Sequence, residues 1–163
     1  MGTSFTEYGG FGFWAKDTAV EIWIALMVWQ FDQQPTLTEP QRALRDDFTF
    51  QATFGGIGCI NPGLDAHLCN ELRPWLIEAS KAALADLEKQ GHLLQPDWVN
   101  PLFKMRGSLM ESDYCWGNGL PSDFCLHYAR LWIALVTGDF ELQETAWIGD
   151  IHRAGIQCFP KPR

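Results

Sequence analysis

Two polar side chains near the end of the chain have the spacing of a catalytic pair. Asp123 precedes His127 by four residues in a stretch whose periodicity predicts a helix over Asp123 to Thr137. A carboxylate at that spacing can accept the ring N–H, fix the imidazole tautomer and raise its basicity, as a general base requires. The same spacing is typical of an ordinary surface pair that suits the helix dipole. We favour the surface pair, because the sequence identifies no nucleophile or substrate-binding group beside it.

A second candidate for chemistry is the carboxylate of Glu21, which lies inside an apolar segment. On a helix its neighbours include Ile24 and Val28, so the carboxylate must pair, protonate or face a water-filled pocket. Buried acids are usually paired, and we therefore expect an ion pair with Arg42 or Arg45 from the next helix. A pocket carboxylate, in a small hydrolase or ligand-binding protein, is the alternative.

Two short patterns combine histidine with cysteine and raise the question of a zinc site. His67-x-Cys69 and Cys125-x-His127 together supply two histidines and two cysteines, a set of four ligands that zinc accepts. Residues two apart on a helix point about 200° apart, however, and the C-x₂-C and H-x₃-H spacings of zinc sites are absent. We expect a buried Cys125 thiol, a surface His127 imidazole, and neither a metal nor a cofactor.

The segment from Gly107 to Pro121 is the candidate partner-binding loop. It shows no periodicity and is too long for an ordinary connection between helices. It combines large side chains that suit the centre of a protein contact with carboxylates, and the segment itself contains no lysine or arginine to compensate them. The predicted partner-binding residues are Met110, Glu111, Asp113, Tyr114, Trp116 and, extending the acidic run, Asp123. The alternative places both rings of this loop in the core.

Net charge decides which partners are compatible with this chain. It has 20 acidic residues against 12 lysines and arginines, a formal net charge of −8, and a pI near 4.8. Phosphates would be repelled, so nucleic acid and anionic membranes are excluded as partners. The partner that the charge favours is a basic protein.

The hydrophobic pattern predicts helices along most of the 163 residues, which are compatible with one domain. The most apolar segment, Ala15 to Asp32, is apolar nearly all round and must be buried nearly all round. Further helices are predicted over Thr38 to Thr53, Leu64 to Asn70, the segment beginning near Pro74 and ending before Gly91, Asp97 to Met105, Asp123 to Thr137, and Phe140 to Trp147.

The glycine-rich start of the chain is predicted to be an irregular lead-in. Gly9, Gly10 and Gly12 alternate with aromatic residues, and no following lysine with serine or threonine supports a phosphate loop. No convincing strand pattern is found. The expected fold is therefore all-α, an orthogonal bundle of five or six helices around the buried N-terminal helix.

Cysteine usage and the N-terminal sequence predict a cytoplasmic protein. The five cysteines are an odd number, and the apolar run near the N-terminus lacks the basic start and small-residue cleavage site of an export signal. We expect reduced thiols. Our leading functional hypothesis is an acidic protein-binding domain, of the inhibitor or immunity class, that neutralises a basic partner such as a toxin or nuclease. The competing hypothesis is the small hydrolase or ligand-binding protein that uses Asp123 and His127, or Glu21.

Overall fold

The computed structural model describes residues 3–54, 64–68, 70–104, 119–141 and 157–160. These residues form helices and two small antiparallel sheets. In chain order the elements are β1 (Thr3–Tyr8), β2 (Phe11–Lys16), α1 (Asp17–Asp32), α2 (Glu39–Phe54), α3 (Leu64–His67), α4 (Leu72–Glu88), β3 (Leu93–Leu94), α5 (Pro96–Lys104), β4 (Leu120–Pro121), α6 (Asp123–Thr137) and β5 (Gln157–Pro160).

Helix α1 lies at the centre of the molecule, as its composition predicts. Every residue from Ala19 to Val28 is buried, and Phe31 extends the buried set into the last turn. Helices α2, α4, α5 and α6 all contact α1, so its apolar side chains are covered on all sides. The helix begins at Asp17, two residues later than predicted, because Ala15 and Lys16 belong to strand β2.

The N-terminal segment is a β-hairpin, and the prediction of an irregular lead-in is wrong. Gly9 and Gly10 form its two-residue turn, with φ angles of 61° and 87°. Positive φ at both central positions is typical of the turn that matches the twist of paired strands, and glycine adopts it without strain. Strand β2 also pairs with β5, giving the sheet order β1-β2-β5.

Strand β1 has polar side chains on its inner face, so its sequence lacks the alternation of apolar and polar residues that indicates a strand. Ser4 and Thr6 are fully buried, where an apolar residue is the usual sign of a strand facing the core. The Thr6 hydroxyl lies 2.8 Å from Tyr128 Oη on α6, and Ser4 Oγ donates to Asp17 Oδ1 at 2.7 Å. These hydrogen bonds compensate for burying the hydroxyl groups.

A second, two-stranded sheet precedes α6. Strand β3 pairs with β4. Gly119, the residue before β4, has a φ of 72°. Ser122 follows β4 and donates its backbone N–H to His92 O and its hydroxyl to Gly91 O, at 3.0 and 2.5 Å. The side chain of Ser122 therefore fixes the second sheet to the end of α4 and makes no capping hydrogen bond to α6.

The surface helices largely follow the sequence signals. Thr38 donates its backbone N–H to Gln41 Oε1, which is one half of a capping box at the start of α2. Helix α6 spans the predicted residues and ends at Gly138, which has the left-handed conformation. The predicted helix Phe140 to Trp147 falls largely outside the described residues.

Helices predominate, but the prediction of an all-α bundle is wrong. Two antiparallel sheets, one of three strands and one of two, are part of the described architecture. Each described helix is too short or too polar to cross a membrane.

Candidate partner-binding surface

The structure places Asp123 and His127 on one helix without joining them. Asp123 is exposed in the first turn of α6, and His127 is half-buried. The hydrogen bonds and ion pairs found among the described residues include none between these two side chains. The pKa of His127 is lowered, because burial disfavours the charged ring and the positive charge of Arg130 adds to the effect. A carboxylate partner would shift this pKa in the opposite direction.

Glu21 is buried on α1, with 6% of its surface exposed. It has an interaction partner. The two arginines that we expected to pair with it form ion pairs with other carboxylates: Arg42 with Glu39 at 2.7 Å, and Arg45 with Asp32 and Asp46 at 2.8 and 2.9 Å. The pocket role of Glu21 stays a prediction.

The described residues contain no metal-ligating group of three or more histidine, cysteine or acidic side chains. Cys125 is a free, buried thiol on the core side of α6, and burial raises its pKa. A protonated, buried thiol is inert, as expected from the sequence. The side chain of His67 and the whole of Cys69 lie outside the described part of the chain.

Most of the predicted partner loop also lies outside the described residues. This holds for five of its predicted contact residues, Met110, Glu111, Asp113, Tyr114 and Trp116. Asp123, the sixth, is exposed. The remaining described part, Leu120–Pro121, is strand β4.

The end of the hairpin forms a surface that the sequence did not predict. The Gly9 backbone N–H donates to Asp65 Oδ1 at 2.9 Å, which places the exposed carboxyl group of Asp65 beside the turn. Phe11, the first residue after the turn, is 41% exposed, and its ring centroid lies 6.4 Å from that of Phe140. Exposed aromatic rings of this kind are enriched at the centres of protein contacts.

Two acidic residues flank Phe140 in the sequence. Asp139 and Glu141 are both exposed and stand on either side of Phe140 in the chain. We call Phe11, Asp65, Asp139, Phe140 and Glu141 the hairpin-end surface. The dipeptide Gly9-Gly10 between two aromatic-rich segments is the signal that would have located it, since paired glycines flanked by short strands indicate a hairpin.

Arg73 on α4 links the end of α6 to Tyr8 at the end of β1. From α4 its Nε donates to Val136 O and its Nη2 to Thr137 O, each at 2.7 Å, so it satisfies carbonyls at the end of α6. Its guanidinium carbon also lies 6.0 Å from the centroid of the Tyr8 ring. Because its donors bind backbone carbonyls, Arg73 stabilises the fold around Asp139 and Glu141 rather than forming an ion pair with either.

The exposed charges of the described residues are unequally paired. Arg42, Arg45, Lys81, Lys89 and Arg130 each form an ion pair with a carboxylate. Several exposed carboxylates take part in none of the ion pairs found between described residues: Glu71, Asp97, Asp123, Asp139 and Glu141. The negative charge of these carboxylates is therefore not compensated by an ion pair between described residues.

The chain matches no protein-family model, no curated protein and no solved structure. Its function is therefore inferred from its own residues.

Proposed function

We propose that this chain is an acidic protein-binding domain that neutralises a basic protein partner. Inhibitors and immunity proteins that block toxins or nucleases are the nearest functional class, by analogy of charge alone. The net charge of −8 supports a basic partner and disfavours nucleic acid and anionic membranes.

The observation that carries this proposal is the unequal pairing of exposed charge. Five lysines and arginines of the described surface are held by neighbouring carboxylates, while Asp139 and Glu141 are in no such pair. Exposed carboxylates of this kind attract a basic protein over a distance of about 8–10 Å in physiological salt. They accelerate the encounter more than they strengthen the final complex.

Two surfaces are proposed as contacts for the partner. One is the loop predicted from the sequence, Gly107 to Pro121, with Trp116 as its central ring. The other is the hairpin-end surface, where Phe11 is 41% exposed. Each combines aromatic residues with acidic residues, which is the composition expected of a contact that excludes water at its centre and steers a basic partner at its rim.

A cytoplasmic location is part of the proposal. The five cysteines cannot all pair with one another in one chain, and Cys125 is a free, buried thiol. Mass spectrometry after alkylation under denaturing, non-reducing conditions should find five free thiols. Two stable disulfides in the native protein would contradict the cytoplasmic assignment.

Glu21 supports a second, different function. A carboxylate that is 6% exposed on an otherwise apolar helix suits a small-molecule site. A ligand of such a site would raise the unfolding temperature of the wild-type protein and would raise that of Glu21→Gln less. Equal shifts in the two proteins would rule out this use of Glu21.

The protein-binding function is tested by affinity capture from the native cell with mass-spectrometric identification, followed by binding of the purified candidate. We expect a basic protein whose binding weakens as salt concentration rises. A captured partner that is acidic, or whose purified form does not bind, would overturn the proposal. Nonspecific retention of cellular proteins on the resin is controlled with a charge-reversed variant, in which exposed carboxylates such as Asp139 are replaced by lysine.

A further inference from the structure

The hairpin-end surface pairs an exposed ring, Phe11, with Phe140, whose two chain neighbours are exposed carboxylates. Phe11 contacts Phe140, the two chain neighbours of Phe140 are Asp139 and Glu141, and Asp65 binds the turn that precedes Phe11. Both ring and carboxylate are groups that a guanidinium binds: its flat face stacks on the ring, and its N–H groups donate to carboxylate oxygens. An ammonium group has no flat face and cannot form the same parallel pair of hydrogen bonds.

An internal arginine already lies over a ring at this end of the hairpin, although its N–H groups donate to backbone carbonyls and not to carboxylates. Arg73 lies over the ring of Tyr8 while its N–H groups donate to Val136 O and Thr137 O. Tyr8 is the last residue of β1 and stands on the other side of the Gly9-Gly10 turn from Phe11. One ring at this end of the hairpin is thus occupied by an internal arginine, and the other, Phe11, is exposed.

Other exposed apolar side chains in the described residues lack this setting. Phe50 on α2 is close in sequence to Asp46, which Arg45 neutralises. Trp14 on β2 is 36% exposed, but it contacts Phe5 and is followed two residues later by Lys16. At the hairpin end, Asp139 and Glu141 belong to none of the ion pairs between described residues.

We propose that the hairpin-end surface receives an arginine side chain of the basic partner. The guanidinium stacks on Phe11 and its N–H groups donate to the carboxylates of Asp139 and Glu141. This inference rests on the proposed function and makes it more specific, since it selects arginine over lysine and assigns the contact to one end of the hairpin. Charge complementarity alone would accept either cation.

The test uses an arginine-rich peptide and a lysine-rich peptide of equal length and charge, titrated into the full chain by isothermal titration calorimetry. We expect the arginine peptide to bind more tightly. Replacing Phe11 by Ala should weaken arginine-peptide binding about two- to five-fold, and Phe11→Tyr should restore it, because exposed cation–π contacts contribute about 0.5–1 kcal/mol. Lysine-peptide binding should change less.

Matched variants separate this surface from net charge and from exposed rings in general. Phe50→Ala removes an exposed ring on α2, and Asp97→Asn removes an exposed carboxylate on α5; both should bind the arginine peptide like the wild type. Asp139→Asn should weaken it by up to about five-fold, the upper range for an exposed ion pair. Circular dichroism establishes that each variant is folded, and the Phe11→Tyr rescue separates a lost contact from a disturbed hairpin.

The outcomes distinguish this inference from the proposed function. If both peptides bind but Phe11→Ala and Asp139→Asn bind like Phe50→Ala and Asp97→Asn, the contact lies elsewhere and the inference fails while a basic partner stands. Equal affinity for the two peptides, with equal losses in the variants, would overturn the selection of arginine. If neither peptide binds, the inference fails, and the capture experiment alone then decides the proposed function.

Discussion

Gly9 donates its backbone N–H to the side chain of Asp65 across 2.9 Å, joining the hairpin turn to α3. These residues are 56 positions apart in the chain. The bond places a carboxylate beside the turn, and the exposed residue Phe11 follows Gly9 by two positions. The proposed surface therefore depends on the fold, because the acidic group comes from a helix and the ring from a strand.

Removing Arg73 should destabilise the protein, because two carbonyl groups at the end of α6 would lose their donors. We expect Arg73→Ala to lower the free energy of unfolding by about 1.5–3 kcal/mol, the range for hydrogen bonds from a charged group. Arg73→Lys should restore part of the loss, since an ammonium cannot reproduce the planar fork. Urea unfolding followed by circular dichroism measures both. Lys81→Ala on the same helix is the control and should change stability by less than about 1 kcal/mol.

The buried hydrogen bond from Trp132 Nε1 to Ser80 Oγ, at 3.0 Å, should contribute measurably to stability. Ser80→Ala leaves the indole N–H without this acceptor, and we expect a loss of about 1–3 kcal/mol in the free energy of unfolding. A double-mutant cycle with Trp132→Phe isolates the bond from the packing of the ring. Additive effects of the two substitutions would show that the bond contributes nothing.

Stability should fall as the pH decreases below about 6.5, the pKa of an unperturbed histidine. Burial and Arg130 lower the pKa of His127 in the folded state, so the unfolded chain takes up the proton first and is favoured at acid pH. Neutral His127 makes its full contribution to stability above the pKa that it has in the unfolded chain. This contribution is lost as the pH falls toward the lower pKa that His127 has in the folded protein. Thermal unfolding of the wild type and His127→Gln at about pH 7.5 and 5.5 tests this. The variant should lose less stability, and an equal loss in both would assign the effect to other groups.

The helices were predictable because their signals are local. The apolar run of α1 and the glycine after α6 are visible in a single stretch of sequence, and both elements lie where those signals place them. The β1–β2 hairpin had a local signal in Gly9-Gly10, but the other strand pairings depend on partners farther along the chain. Strand β2 pairs with β5, with Phe13 and Cys158 as register partners, and β3 is only two residues long, so neither pairing has a local signal.

The candidate site was less predictable than the fold for the same reason. Thr6 reads as polar and hence exposed, yet it is buried against Tyr128, 122 positions away. The hairpin-end surface likewise brings Phe11 beside Phe140. Composition predicted the acidic character of the surface, but only tertiary structure brings these rings together with Asp65.

The partner-binding role of the loop Gly107 to Pro121 stays a prediction, and it has its own experimental test. If Trp116 is the central ring of a contact, Trp116→Ala should cost on the order of 2 kcal/mol of binding, mainly through faster dissociation. Surface plasmon resonance against the captured partner measures this, with circular dichroism as the folding control. A variant that unfolds would place the ring in the core, and normal binding by a folded variant would remove the loop from the interface.

The most direct test of the proposed function is the association rate with the purified partner at low and high ionic strength, measured by surface plasmon resonance. The double variant Asp139→Asn with Glu141→Gln should associate roughly two- to five-fold more slowly at low salt, because exposed charges steer the encounter. Its matched control, Asp97→Asn with Glu78→Gln, removes the same net charge elsewhere and should associate faster than the double variant. High salt should slow association of the wild type and make the association rates of the three proteins similar, since ions screen exposed charges. An association rate that is independent of salt and identical in the three proteins would contradict an acidic domain that recognises a basic partner.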